Sequence, residues 1–137
     1  MSMTEDNRKD IVAYRIERAF TALEQARMNI QMNCLEVTAN RLYYAAYYAV
    51  SALLIANKIP THSHEGSVTQ FGLHFVKTGK VEREDGKLLS HLLTMRIKGD
   101  YSDRFGLNSE DILPYVMPTE AFIKKISSMA MNEVDEN

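Results

Sequence analysis

The sequence predicts an all-α fold, an antiparallel up-and-down bundle of four to five helices, on three observations. Apolar residues recur at alternating steps of three and four along several long stretches, which is the period of an amphipathic helix. Only six glycines and three prolines are spread over 137 residues, so the chain has few places to break. No stretch shows the strict alternation of a half-buried strand. With 45% hydrophobic and 25% charged residues and a length near the commonest domain size, a single domain over 1–137 is expected, with its core between about 5 and 131 and frayed termini.

The first helix is expected from Thr4 to Met32, where Val12, Ile16, Ala19, Leu23, Ala26 and Ile30 form one stripe. Thr4 suits its cap, and Glu5, Asp6 and Asp10 set negative charge against the positive end of the helix dipole. The second helix, Leu35 to Lys58, carries Leu35, Ala39, Leu42, Ala46, Ala49, Leu53 and Ala56 on one side. Tyr43, Tyr44, Tyr47, Tyr48, Val50, Leu54 and Ile55 fill its other faces. A helix apolar all round belongs at the centre of a bundle or at a seam with a second subunit. The short break near Asn33 makes these two helices an antiparallel hairpin.

Ile59 to Gly66, IPTHSHEG, is loop chemistry, with Ser63 as a cap for the next helix. That third helix is expected from Ser67 to Thr78, with Val68, Phe71, Phe75 and Val76 on its apolar side and Gly79 as its stop. The fourth, Glu82 to Asp103, carries Leu88, Leu89, Leu92, Leu93, Met95 and Ile97. The segment RFGLNSEDILPYVMP is interrupted by Gly106, Pro114 and Pro118 before a last helix from Thr119 to Met131, and the tail NEVDEN is expected to fray.

Sixteen basic residues against eighteen acidic give a net charge of -2, which argues against broad, charge-driven coating of nucleic acid or an anionic membrane. The charge is uneven: Lys77 to Arg104 holds seven basic and five acidic residues, whereas from Glu110 onward two lysines face six acids. The single cysteine, Cys34, excludes an internal disulfide framework and a multi-thiolate zinc site and fits a reducing compartment. Met1 to Asp10 has no apolar core for a secretory signal. Leu42 to Ala56 falls short of the roughly 20 residues that a membrane span needs. A cytoplasmic location without membrane contact is therefore expected. No P-loop, dinucleotide-binding glycine motif or Ser/His/Asp signature is present, and neither cofactor nor metal is expected.

The residues with chemical promise cluster in MRIKGDY, 95–101. Helical steps from Leu89, Leu92 and Leu93 lead to Arg96, then Asp100 and Asp103, so the core-facing stripe turns charged. Buried arginine needs a carboxylate, a groove or an anion. One reading is an intrahelical pair with Asp100, worth about 0.3–0.5 kcal/mol if exposed. The other is an arginine held at a cleft or dimer seam to bind phosphate, with Asp100 and Tyr101 beside it and Lys98 adding charge. Asn40 and Arg41, near the tyrosines, are candidates to reach that cleft.

The histidines fit less readily. His91 precedes Arg96 by about 140° of helical turn and should face elsewhere. His62 and His64 read chiefly as loop polarity and capping, because a metal site built on them with Glu65 lacks a fourth ligand. His74 reads as a partly buried polar residue. The tyrosines read mainly as core or dimer packing, with stacking on unpaired bases as the alternative.

Taken together, NRLYYAAYYAVSALL, THSHEG, FGLHFVKTGKV and the R-x-x-x-D-Y of Arg96, Asp100 and Tyr101 resemble the HEPN superfamily over about residues 36–126, and within it the small stand-alone bacterial and archaeal proteins. That resemblance implies a four- or five-helix HEPN-like bundle that forms a homodimer. Many HEPN proteins are metal-independent ribonucleases in which an arginine stabilises the phosphorane charge and a following histidine moves the proton as the 2'-hydroxyl attacks phosphate. Many are also the toxin half of a toxin-antitoxin pair with a minimal nucleotidyltransferase.

Arg96 matches the motif arginine. Tyr101 stands where the histidine would in the shortest common spacing, and no histidine comes after His91. With a reference pKa of about 10, tyrosine is a poor proton shuttle near neutrality, which weakens the ribonuclease reading. Tyr101 loosely resembles the tyrosine on which a partner attaches nucleotides. The expectation is a toxin-like homodimer that binds RNA or nucleotide phosphates at a dimer cleft through Arg96, Lys98, Asn40 and Arg41. The alternative is a non-catalytic helical dimerisation and protein-binding module, with Arg96 and Asp100 as a structural pair.

Overall fold

The computed structural model describes residues 4–101 and 107–135, with the side chain of Tyr101 outside that set. All regular structure among the described residues is helical. Helix α1 spans Glu5–Gln31, α2 Leu35–Ala56 and α3 His64–Phe71, which runs on into a π turn at Gly72–Val76. Helix α4 spans Arg83–Tyr101, α5 is the single turn Ser109–Ile112, and a 3-10 turn at Leu113–Tyr115 leads into α6, Val116–Asp135. The all-α bundle expected from the periodicity is the fold.

Local chemistry sets the ends. Thr4 Oγ1 accepts the Asn7 amide at 3.1 Å and caps α1. The α1–α2 turn is closed by Asn33 in the left-handed region, φ 57. Its amide donates to the Ile30 carbonyl at 3.0 Å and that of Cys34 to Asn29 at 2.8 Å, the paired bonds of a Schellman ending. Lys58, φ 62, closes α2 in the same way, with amides 58 and 59 donating to Ile55 and Leu54 at 3.0 and 2.9 Å.

Helix α2 is the centre. Ala39, Leu42, Tyr43, Ala45, Ala46, Ala49, Val50 and Ala52 are all fully buried, and α1, α4 and α6 pack around them. The alanines keep the α2 surface low, so neighbouring backbones come close while Val12 and Leu23 of α1, Leu89 and Leu92 of α4, and Phe122, Ile123 and Ile126 of α6 fill the space.

Three boundaries differ from the sequence reading. Helix α3 starts at His64 rather than Ser67, because Ser63 Oγ accepts the Gly66 amide at 2.9 Å and begins the helix immediately. It then widens at Gly72, whose carbonyl accepts from Lys77 at 2.8 Å, so Ser67 to Thr78 is not one regular helix. Gly79, φ 79, is the stop. Helix α6 starts at Val116 and holds to Asp135. Pro118 falls in its first turn, where a missing N–H costs no hydrogen bond. At the far end Val134 is buried and Lys9 pairs with Asp135 at 3.3 Å, tying α6 to α1.

The C-terminal part of α4 lies against the start of α2 at Gly99, where a Cβ would stand 3.1 Å from Leu107 Cδ1 and 3.7 Å from the Glu36 Cα. One turn earlier, Arg96 meets the tyrosines of α2. Asp103, the next position on the charged stripe, is outside the described residues, as are Arg104 and Gly106.

Candidate functional site

Arg96 comes after Leu89 and Leu92 on the inward stripe of α4 and is half-buried, as the periodicity requires. Its Nε lies 3.2 Å from Asp100 Oδ2, the i,i+4 pair that the spacing suggests. That pair does not use up the guanidinium. The Nε hydrogen is buried and finds no aligned acceptor, so the two groups attract without a well-formed hydrogen bond. Among the described residues no hydrogen bond satisfies the two terminal nitrogens. Instead the guanidinium carbon sits 5.8 Å from the Tyr43 ring centroid and 5.5 Å from that of Tyr44, within cation–π range.

The histidine in this cluster comes from α3. His64 Nδ1 is 2.8 Å from the Tyr43 hydroxyl, and its ring centroid lies 4.3 Å from that of Tyr47 and 5.4 Å from that of Tyr44. Burial and then the charge of Arg96 push its pKa below the ordinary histidine value, with Glu65 opposing, so the ring is neutral at neutral pH. Burial raises the pKa of Tyr43 and keeps it a phenol. The Tyr43 hydroxyl and His64 Nδ1 share this one hydrogen bond, and Nε2 on the other side of the ring has no partner among the described residues.

The other candidates divide. Arg41 lies over the far side of the cluster: its guanidinium carbon is 5.1 Å from the Tyr44 centroid, so Arg41 and Arg96 share one ring. Asn40 serves Arg41 and not Arg96, its Oδ1 accepting from Arg41 Nε and Nη2 at 3.1 and 2.9 Å. Lys98 stands away from Arg96, because two residues turn a helix by about 200°. It lines a separate cleft of about 400 Å³ with His91, Thr94, Met95 and Tyr115, where His91 stacks on Tyr115 at 4.3 Å. Tyr101 is the last residue of α4, and its side chain falls outside the described residues. His74 is exposed rather than partly buried and meets Gln70 Oε1 at 3.0 Å.

The tyrosines split by depth. Tyr43 is fully buried and belongs to the core, while Tyr44, Tyr47 and Tyr48 are half-buried on the outer side of α2. Sequence reasoning looks for the proton-carrying histidine along α4 and reads His64 as a loop residue. The available signal is Ser63 as a cap, which makes His64 the first residue of a helix. The connection after α2 folds back so that His64 reaches Tyr47, nine residues or about 13 Å before the end of α2. Among the described residues, no group of three His, Cys, Asp or Glu side chains could hold a metal, and no helix is long and apolar enough to cross a membrane.

Comparison with known proteins places this geometry in context. The HEPN domain matches residues 12–129. A UPF0332 protein of Thermotoga maritima is 32% identical over 124 residues, 90% of this chain and 94% of that protein. Two Methanocaldococcus jannaschii proteins, both described as candidate toxins, are 27% identical over 132 residues, 96% of each chain, and 26% identical over 96 residues, 70% of this chain and 65% of the other.

Proposed function

The chain belongs to the HEPN domain family, and from that premise we propose that it is a toxin-like protein whose Arg96 face binds the phosphates of RNA or nucleotides, in the cytoplasm, at the seam of a homodimer. The observation that carries this reading is Arg96 itself. A half-buried guanidinium whose terminal nitrogens have no acceptor among the described residues, beside two rings and a neutral imidazole, suits an incoming phosphate oxygen. Asp100 steadies Arg96 from one side, Arg41 adds a second charge over Tyr44, and His64 Nε2 offers a further polar contact. The descriptions of the two archaeal relatives support the toxin assignment. Such a toxin would pair with a minimal nucleotidyltransferase, with Tyr101 as the modification site.

The test is calorimetric titration of the protein with the dinucleotide ApA, whose single phosphodiester carries a fixed charge. Arg96→Ala should weaken binding about tenfold to a hundredfold, the range of a hydrogen bond to a charged group. Arg96→Lys should recover only part of this, because the fork is lost. A wild-type protein that binds no ApA, or an Arg96→Ala variant that binds equally well, overturns the reading. A monomeric mass by light scattering removes the dimer seam.

A second reading, metal-independent ribonuclease activity, is favoured by one observation: His64 and Arg96 meet the same two rings, Tyr43 and Tyr44, so an imidazole suited to proton transfer lies near the arginine. Cleavage ending in a 2',3'-cyclic phosphate and lost in His64→Ala would establish it. Intact RNA after incubation with the wild type leaves the site a binding site.

A further inference from the structure

The Arg96 cluster does not end at Tyr47. Tyr48, one turn beyond Tyr44, has its ring centroid 5.9 Å from that of Tyr44 and 5.8 Å from that of Tyr47. Across the α1–α2 groove, Arg18 Nη2 donates to the Tyr48 hydroxyl at 2.9 Å and Nη1 to that of Tyr14 at 3.4 Å. The Arg18 guanidinium carbon lies 5.0 Å from the Tyr48 centroid and 6.0 Å from that of Tyr14. An unbroken line of rings and cations thus runs from Arg96 and Arg41 to the exposed Tyr14, over three helices.

We propose that Tyr14, Arg18 and Tyr48 form a second subsite, continuous with Arg96, that holds an unpaired RNA strand by stacking a base and binding a phosphate. The proposal rests on the reading of Arg96 as a phosphate contact and extends it. Three features point to a strand rather than to an acidic protein or a second copy of this chain.

Arg18 and Arg41 pair with no carboxylate among the described residues. Their partners are neutral oxygens, from Tyr14 and Tyr48 and from Asn40 and Gln25, so their charge is not cancelled. Each of the three arginines also lies over a ring, and alternating flat rings and guanidinium groups match a ligand whose flat bases alternate with anions. The cations are also contiguous. The rings under Arg96 and Arg18, those of Tyr44 and Tyr48, are neighbours 5.9 Å apart on one helix, so both charges line the same face. Bases inside a duplex cannot reach these rings, so the strand is single. Tyr14 is 55% exposed, so its ring is open to a base, and its hydroxyl lies 3.4 Å from Arg18 Nη1.

The experiment compares ApA by calorimetry with a fluorescein-labelled hexa-adenylate RNA by anisotropy, using wild type, Arg18→Ala and Tyr14→Ala. The expected result is hexamer binding at least tenfold tighter than ApA. Arg18→Ala should weaken the hexamer about five- to thirtyfold and Tyr14→Ala less, in line with base–ring stacking, with ApA held within twofold.

Hexamer affinity indifferent to both substitutions, while Arg96→Ala weakens ApA binding as expected above, overturns the subsite and leaves the Arg96 reading intact. No binding of either ligand overturns both. Equal affinity and equal Arg18 dependence for an RNA duplex or for hexa-deoxyadenylate overturns the unpaired-RNA assignment. A dimer that becomes a monomer on Arg18→Ala makes this face an interface between copies and overturns the proposal.

Discussion

The two flanks of α2 treat their cations in opposite ways. On the α6 side, charges end on carboxylates: Lys125 Nζ lies 2.6 Å from Asp85 Oδ2, Lys124 lies 3.5 Å from Glu120 Oε1, and Arg27 bonds to Glu120 as well. Arg27 holds the Glu120 carboxyl below its usual pKa. On the outer face, Arg18 and Arg41 end on neutral oxygens and rings, and only Arg96 has an acid beside it. A cation already neutralised contributes to the fold and has little left for an anion. A cation lying over rings keeps its charge and its donors. On the proposed reading, the α6 flank is structural and the α2 outer face is the one that binds.

The largest expected effect tests the structural flank. Lys125→Ala leaves the mostly buried Asp85 carboxylate, which also accepts the Glu82 amide at 3.0 Å, without its counter-charge. Exposed pairs contribute about 0–1 kcal/mol and breaking a buried one costs about 3–5 kcal/mol. Asp85 is 15% and Lys125 38% exposed, so a loss of about 1–2 kcal/mol is expected in chemical denaturation, with ApA affinity unchanged. Weaker ApA binding in this variant would break the distinction between the flanks.

The next test converts part of the binding face into the other kind. Gln25 Oε1 accepts from Arg41 Nη1 at 3.0 Å, and Gln25→Glu keeps the shape while giving Arg41 a carboxylate. Affinity for the RNA hexamer should fall about three- to tenfold, roughly 0.7–1.4 kcal/mol. Stability should change by no more than about 0.5 kcal/mol, because the pair is exposed. Unchanged binding would mean that Arg41 is not part of the phosphate face.

Much of this division is legible in the sequence, and the remainder is hidden for a physical reason. The step from Leu92 to Arg96 marks the charged end of the inward stripe, and the Arg96–Asp100 spacing gives their pairing, because both are local to one helix. Tyr43 and Tyr44, adjacent in sequence, differ in fate because 100° of turn separates a core position from a rim position. Only the packing of α4 and α6 decides which is which. His64 escapes because its role depends on a connection that folds back along α2, a long-range event that no spacing encodes. Arg18 escapes for the same reason: nothing near it in the chain announces Tyr48, which reaches it across the helical hairpin.

The smallest effect, and the one that joins fold to site, is the pH dependence of His64. Its folded pKa lies below the ordinary histidine value of 6.5, so between the two values the unfolded chain binds more protons than the folded one. Stability is therefore fully present above about pH 6.5 and is lost as pH falls through the folded pKa. Binding responds with the opposite sign. Protonated His64 beside Arg96 adds positive charge, so affinity for a phosphodiester should rise over the same fall in pH. ApA suits this measurement, since a terminal phosphate would itself titrate near pH 6. His64→Gln keeps a polar group at the position and should flatten both slopes, in thermal melts and in titrations from about pH 5 to 7.5. Parallel wild-type and variant curves would remove His64 from the site and leave Arg96 with the tyrosines alone.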